Sequence, residues 1–492
     1  MISAQLPILQ VVLPLLAAPL IVLFRHPGLA WLVAAAVSWC SFAIAVALFF
    51  AVPAGGAFDY ALGSWAAPWG IAYRIDSASA YVLVLVSLIA SVVVTYARSS
   101  IAAEVDRDSH YLFYAMFVLC LGGLLGIAAT NDAFNLFVFL EISSLSSYVL
   151  IAIGRRRRAL HAAFQYLIMG TMGATFYVIG VGLLYLMTGT LNMADMAERL
   201  AGVSETRPVL SALAFITVGL SLKIALFPLH FWLPNAYAAA PSVVSAFLAG
   251  TATKVSVYVL MRFLFSVFGV RLSLDALHLF DLLVGLSIAA TVAASLIALF
   301  QDDLKRMLAY SSVAQVGYIT LGIALNNADG LTAAVIHLFN HGITKVALFM
   351  LVGGIVLRMG TTRFSDMAGL ARRMPFTAFG FVVAGLSLIG VPASAGFVTK
   401  WYLVMAALER AHWWLAALVV ATSLISALYV WRFVEMAYLR EPAGDARRAE
   451  APLALLVPAW IMVLACTYFG LETSYSLTGA QEAAAALARG FR

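Results

Sequence analysis

Charge is scarce in this chain. Asp, Glu, Lys and Arg make up 11% of its 492 residues, against 64% hydrophobic residues. A soluble domain carries about 25% charged residues, so a soluble fold is excluded and a polytopic membrane protein is left. Cysteine is almost absent. Cys40, Cys120 and Cys466 fall in three separate apolar segments, with no ligand spacing, and read as small buried hydrophobes rather than cluster or zinc ligands. There is no glycine-rich nucleotide fingerprint, so the chain holds no flavin or nicotinamide site and performs no redox chemistry itself. No cofactor and no bound metal are expected. Long polar stretches are also missing. The net charge of +6 lies mostly in Arg at the ends of apolar runs, where the positive-inside rule places it, and is not a nucleic-acid signal. A basic N-terminal region and a cleavage site are lacking, so the first apolar run reads as a retained helix.

What is present is a succession of about fourteen apolar runs of membrane length. The expected fold class is an all-α polytopic membrane protein. Three runs exceed one simple crossing: 209–238, broken at Pro228; 330–358, expected to be interrupted near Gly342; and 376–409, broken around Gly390-Val391-Pro392. Proline removes a backbone donor and ends a helix, and a discontinuous helix is tolerated at membrane depth only in protein or along a cavity. The run 243–266 reads as one continuous span.

The broken seventh and twelfth helices follow Pro208 and Pro375 and carry Lys223 and Lys400. Interruptions at matching places in two halves point to inverted repeats with a site near the midplane. The chain then divides into helices 1–3 (1–110), a first five-helix unit (111–266), a second (276–436), and helix 14 with the C-terminal tail (437–492).

Odd-numbered loops hold Arg25, Arg98, Arg107, the run Arg155 to Arg158, Lys305, Arg306, Arg358, Arg363, Arg372, Arg373, Arg440, Arg447 and Arg448. The even loops and tail hold about half as many, which places both termini outside the cytoplasm. The four-arginine run reads as a topology anchor rather than a partner patch.

Ionisable residues inside membrane runs mark ion paths or structural ion pairs. Glu141 is the only acid well inside an apolar run, and at helical spacing it shares a face with Ser144 and Tyr148. Lys223 is its natural partner. Lys254 has Thr251 and Tyr258 on its own face, and Lys400 lies about two turns beyond Pro392. His337, His341 and Lys345 recur every four residues along one face. Histidine titrates near neutrality and hands protons on. Two His at that spacing also suit a metal, but no third ligand is evident and a lysine is close. His230, after Pro228, is either a relay group or a satisfied interfacial histidine. Lys305, beside Asp302, Asp303 and Arg306, reads as a loop lysine screened by water. These parts suit a charge relay: approach of Glu141 favours the ammonium form of Lys223, and its withdrawal expels a proton onward.

The stretches FNLFVFLEISSLSSYVLIAIG, SLKIALFPLHFWLPNAYAAAPSVVSAFLAG, TKVSVYVLMR, QDDLKRMLAYSSVAQVGY, HLFNHGITKVALF and GVPASAGFVTKWYL resemble the antiporter-like membrane subunits shared by respiratory complex I, membrane-bound hydrogenases and Mrp-type cation/proton antiporters. The match covers nearly the whole chain and is weakest in the first three spans and after Arg440. Within the family the chain looks most like the D-type member of Mrp antiporters. The resemblance implies that Glu141 is the fifth-helix glutamate, Lys223 the seventh-helix lysine and Lys254 the eighth-helix connecting lysine. It implies likewise that His337 is the eleventh-helix histidine and Lys400 the twelfth-helix exit lysine, with His230, His341 and Lys345 supporting. The implied function is the ion-translocating subunit of a multi-subunit Na+ (or K+)/proton antiporter in a bacterial cell membrane, with other membrane subunits as partners. The alternative is a proton-pumping subunit of a redox enzyme, and an inert membrane scaffold is a third.

Overall fold

A computed structural model describes residues 5–52, 56–276, 279–442 and 448–491. Arg447, one of the odd-loop arginines, and the terminal Arg492 lie outside the described residues. The chain runs α1 (Leu6–Phe24), α2 (Pro27–Ala51), β1 (Ala57–Ala61), β2 (Ala72–Asp76), α3 (Ser77–Glu104), α4 (His110–Ala129), α5 (Ala133–Ala152), α6 (Arg157–Thr188), α7 (Met193–Leu200), α8 (Arg207–Ile224), α9 (Trp232–Ala239), α10 (Ser242–Gly250) and α11 (Ala252–Met261). It continues with α12 (Leu279–Leu299), α13 (Leu304–Leu325), α14 (Ala328–Met359), α15 (Leu370–Arg373), α16 (Pro375–Ile389), α17 (Ala395–Glu409), α18 (Trp413–Val434), α19 (Leu453–Leu471) and α20 (Ser474–Arg489). Thirteen helical stretches among the described residues are long and apolar enough to cross a membrane. The broken pair α16–α17 makes the fourteenth crossing.

The two expected breaks are built alike. At the end of α8, Ala225 takes a left-handed φ of 61° and Leu226 N–H reaches back 3.0 Å to Ser221 O. At the end of α16, Gly390 takes φ 85° and Val391 N–H reaches Leu386 O at 3.1 Å. Both are Schellman-type closures, which end a helix while satisfying its last carbonyls. Each broken helix packs on the third helix of its own unit, α6 or α14, and both third helices are 32 residues long. Five crossings separate equivalent helices, so they traverse in opposite directions.

Close approach explains two glycine positions. A Cβ on Gly219 of α8 would lie 2.6 Å from Gly173 O of α6, and one on Gly173 would lie 2.9 Å from Gly219 O. The two helices therefore cross backbone to backbone beside Lys223. Gly342 corrects the expectation of an interrupted eleventh helix: α14 is continuous through it. A Cβ there would stand 3.2 Å from Gly250 O, so the glycine admits α10, not a kink.

Three further features depart from the sequence reading. The run 243–266 is not one continuous helix; Thr251, at φ −121° and ψ −60°, separates α10 from α11, and the span ends in a π-helical turn, Arg262–Val267. An antiparallel hairpin, β1 with β2, precedes α3, and its last residue, Asp76, caps that helix by accepting Ser79 N–H at 2.9 Å. The tail after α19 forms α20, which packs on α3 and α14. Cys120 and Cys466 are buried as expected, but Cys40 faces outward from α2. The α10–α11 span and α13 are almost wholly buried, whereas α1, α2, α6, α18 and α19 turn much of their surface outward. Lys254 lies on this buried axis, in α11.

Candidate functional site

The lysines share one structural setting. Lys223 stands in the last turn of α8. Lys254 donates to Ala249 O at the end of α10. Lys400 donates to Ile389 O, the last residue of α16, at 2.6 Å. The closing carbonyls of a helix lack intrahelical partners and form the negative end of its dipole. Two breaks inside the bundle thus place an ammonium on a freed carbonyl, those of Lys254 and Lys400, while Lys223 leaves the last turn of α8 toward side chains of α5.

At the first site Lys223 Nζ lies 3.3 Å from Glu141 Oε1 and 2.8 Å from Ser144 Oγ. Trp232 Nε1 donates to the Leu222 carbonyl at 3.0 Å, so an indole, not the lysine, caps the end of α8. Lys223 is buried, but the Glu141 side chain is 23% exposed. It belongs to the outward stripe of α5 formed by Phe134, Val138, Leu145 and Val149. A cavity lined by Lys223, Ser143, Ser144, Ser147, Tyr166 and Ser256 separates this pair from α11.

The central site gathers charge without acid. Lys254 also approaches Thr253 Oγ1, at 3.4 Å. Lys345 donates to Leu308 O at 2.7 Å and to Ser311 Oγ. His341 stacks on His337 with ring centroids 5.4 Å apart. His337 Nε2 is 2.9 Å from Gln315 Oε1. Both ring nitrogens of His341 and Nδ1 of His337 are buried with no hydrogen-bond partner among the described residues. Lys254, Lys345 and Lys400 lie within electrostatic reach of His337, and Lys254 and Lys345 within reach of His341. Unpartnered buried imidazole nitrogens beside several amines have room to take or release a proton, or to bind water.

At the third site Lys400 donates to Ser423 Oγ at 2.8 Å and sits 5.0 Å from the Tyr318 ring centroid. Tyr318 meets His337 edge-on at 6.3 Å and donates to Thr422 at 2.7 Å, so it joins the central and terminal sites.

His230 is placed apart. It is buried between Phe227 and Phe231, with centroids at 5.1 and 4.9 Å, and faces Tyr310 of α13 at 6.2 Å. Lys305 departs from the water-screened reading. It is 1% exposed and packs under α3, with Nζ 3.6 Å from Glu104 Oε2 and 3.0 Å from Ala240 O. Ser311, Gln315 and Tyr318 were not singled out from the sequence, although spacings of four and three place them on one face of α13. Asp76 and Arg262 form a third ion pair, buried on both sides, with Tyr258 accepting from Arg262 Nε at 2.9 Å. No three His, Cys, Asp or Glu side chains among the described residues gather as a metal site.

Residues 130–426 match the family model described as "NADH:quinone oxidoreductase/Mrp antiporter, TM". The chain is 42% identical to NADH-quinone oxidoreductase subunit N of Desulforudis audaxviator, over 95% of this chain and 96% of that one. It is 30% identical to the D-type Na+/H+ antiporter protein of Alkalihalophilus pseudofirmus, over 94% and 93%. Among solved structures, a chain of the Mrp complex from Dietzia sp. superposes with a TM-score of 0.90 at 28% identity, covering 99% of this chain and 98% of that one.

Proposed function

The chain belongs to the NADH:quinone oxidoreductase/Mrp antiporter membrane-subunit family, and from that premise we propose that it is the ion-translocating subunit of a multi-subunit Na+ (or K+)/proton antiporter. The observation that carries this reading is the set of lysines at half-helix ends, Lys223, Lys254 and Lys400, with His341, His337 and Tyr318 lying between the latter two. A structural ion pair needs a counter-charge, yet only Lys223 of the three is paired with an acid among the described residues.

In the proposed cycle, Glu141 holds Lys223 as the ammonium. Withdrawal of the carboxylate sends the proton through the serine-lined cavity toward Lys254. Lys345, His341 and His337 carry it on, and Lys400 releases it. His230 supports the path from between α8 and α13. Each transfer moves a proton between an ammonium and a neutral amine, imidazole or water, so no cofactor enters. Other membrane subunits cover the Glu141 stripe, since a carboxylate left against lipid is costly. The complex sits in the bacterial cell membrane with both termini of this chain outside the cytoplasm.

A second reading, a proton-pumping subunit of a redox complex, is favoured by the 42% identity to a subunit N. Purification of the native complex separates the two, because iron–sulfur or hydrogenase partners mark the redox pump and small membrane subunits alone mark the antiporter. The transport reading itself is tested by cation-induced pH changes in everted vesicles. Exchange is expected from the wild type and lost in Lys223→Ala at equal assembly; a scaffold predicts equal exchange in both.

A further inference from the structure

The buried pair Asp76–Arg262 stands at the outer end of the eighth span, and the proposed cycle makes no use of it. Asp76 ends β2 and caps α3, in the second loop, one of the even-numbered ones. Arg262 begins the π-helical turn that follows α11. Its Nη2 pairs with Asp76 Oδ1, with both side chains buried. Its Nε donates to the Tyr258 hydroxyl at 2.9 Å, and that hydroxyl donates to Ala128 O of α4 at 3.3 Å. Phe491, in the tail beyond α20, puts its ring centroid 5.8 Å from Arg262 Cζ and 5.5 Å from Arg74 Cζ, within cation–π reach of both. The same turn is tied to α20, since Ser266 Oγ donates to Leu487 O at 3.4 Å. Elements α3, α4, α11 and the tail thus meet around one guanidinium.

Lys254, Tyr258 and Arg262 recur every four residues, so they share one face of the eighth span, and all three are buried. Arg262 lies about 12 Å along the axis from Lys254. The face that carries the central lysine therefore runs outward to this pair, as either a proton path or a closed end. The chemistry of the groups decides between them. A relay group must release the proton it receives, and a guanidinium stays protonated. The Tyr258 hydroxyl commits its one proton to Ala128 O while it accepts from Arg262, so it holds none for Lys254. Asp76 is turned to Arg262 and to Ser79 N–H, at 2.9 Å. The face is a closed end. Fastening alone does not account for it: Arg262 Nη1 is buried with no hydrogen-bond partner among the described residues, and packed apolar side chains often replace a buried ion pair with no loss of stability.

We propose that Arg262 is a proton barrier at the even-loop end of the eighth span, with Asp76 as the counter-charge that holds it in place. The assignment goes beyond the transport reading above and rests on it. In the proposed cycle protons reach Lys254 by way of Glu141 and Lys223. A proton that reached Lys254 directly from the even-loop face would bypass that pair and cross without a cation in exchange. The guanidinium interrupts this shortcut, because water on its outer side cannot pass a proton through a group that does not deprotonate. Its permanent charge is balanced by Asp76, so the barrier lies in the missing transfer step and not in net repulsion.

The test uses Arg262→Lys, which keeps the positive charge beside Asp76 but can release a proton. Everted vesicles carrying the full complex are given a pH gradient in choline medium, with no exchangeable cation, and the rate of its collapse is read. At equal assembly Arg262→Lys is expected to collapse the gradient at least threefold faster than wild type. Adding Lys254→Ala is expected to bring the rate back to that of wild type. A gradient held as well by Arg262→Lys as by wild type would mean that the pair only fastens helices, and would overturn the assignment. A leak that Lys254→Ala leaves intact overturns it too, because the shortcut would not run through Lys254. If Arg262→Lys does not assemble, the double variant Asp76→Asn/Arg262→Gln, which leaves no unpaired charge, takes its place in the same comparison. Cation-induced exchange by wild-type vesicles reports on the transport reading separately. Exchange in wild type with a tight Arg262→Lys complex removes the barrier alone; no exchange in wild type removes the reading beneath it.

Discussion

Glu141→Gln isolates the electrostatics of the first site. The substitution keeps the side-chain length and a carbonyl oxygen for Lys223, and removes only the charge. At the 3.3 Å separation of Lys223 Nζ and Glu141 Oε1, an effective dielectric of about 20 gives roughly 5 kcal/mol of attraction favouring the ammonium. The exposed edge of Glu141 screens part of this, but even about 1.4 kcal/mol changes the protonated fraction tenfold. Ser144 Oγ remains as a neutral partner at 2.8 Å and does not replace the charge. Exchange in everted vesicles is therefore expected to fall at least tenfold while the subunit still inserts and assembles, and Glu141→Asp is expected to recover part of it. The assay is the dequenching of a pH-sensitive dye on cation addition, normalised to assembled complex. Exchange within twofold of wild type in a well-assembled Glu141→Gln complex would refute the reasoning.

Two further predictions concern architecture. Reporter fusions at Arg492 are expected to be active only as external reporters, since the odd loops carry the basic charge; activity confined to cytoplasmic reporters would reverse the orientation. Asp76→Asn is expected to lower the detergent melting temperature near neutral pH, because it leaves Arg262 buried without a counter-charge, a loss of about 3–5 kcal/mol. Burial pushes the Asp76 carboxyl up, but the Arg262 guanidinium outweighs it and holds the carboxyl below the usual range. A depressed carboxyl stabilises above its unfolded value and loses that contribution as pH falls through its folded value. The gap between wild type and Asp76→Asn should thus close on acidification, and a gap independent of pH would contradict the pair's role.

The membrane class, the broken seventh and twelfth helices and the Glu141–Lys223 contact were legible because each depends on local or compositional facts. Charge is scarce, Pro228 and Pro392 lack the N–H a continuing helix needs, and a lone acid in hydrocarbon needs a cation. What the sequence hid depends on packing. Thr251 breaks the eighth span without a proline, and its role shows only when Lys254 reaches the freed Ala249 carbonyl. Gly342 carries the same local signal as a hinge, but its neighbour is the Gly250 backbone, so it serves close packing. Lys305 sits among charges in sequence and looks solvated; its burial comes from Glu104 at the end of α3, a contact that no local spacing foretells. The helix α20 is too short and too polar at its start to read as a span.

In the proposed cycle the lysines at half-helix ends change protonation state during transport, and Lys400 is the position where a fixed charge and a titrating one are best told apart. Its Nζ is held by Ile389 O and Ser423 Oγ, with no acid partner among the described residues. Arginine keeps the positive charge and the donors but does not deprotonate, whereas glutamate titrates when buried and, as the neutral acid, donates to the same carbonyl. Exchange rates of Lys400→Arg and Lys400→Glu, measured in everted vesicles at equal assembly, should place Glu above Arg, with Arg reduced at least tenfold from wild type. A Lys400→Arg complex that exchanges as fast as wild type would mean that a fixed charge suffices there, and that no proton leaves through Lys400.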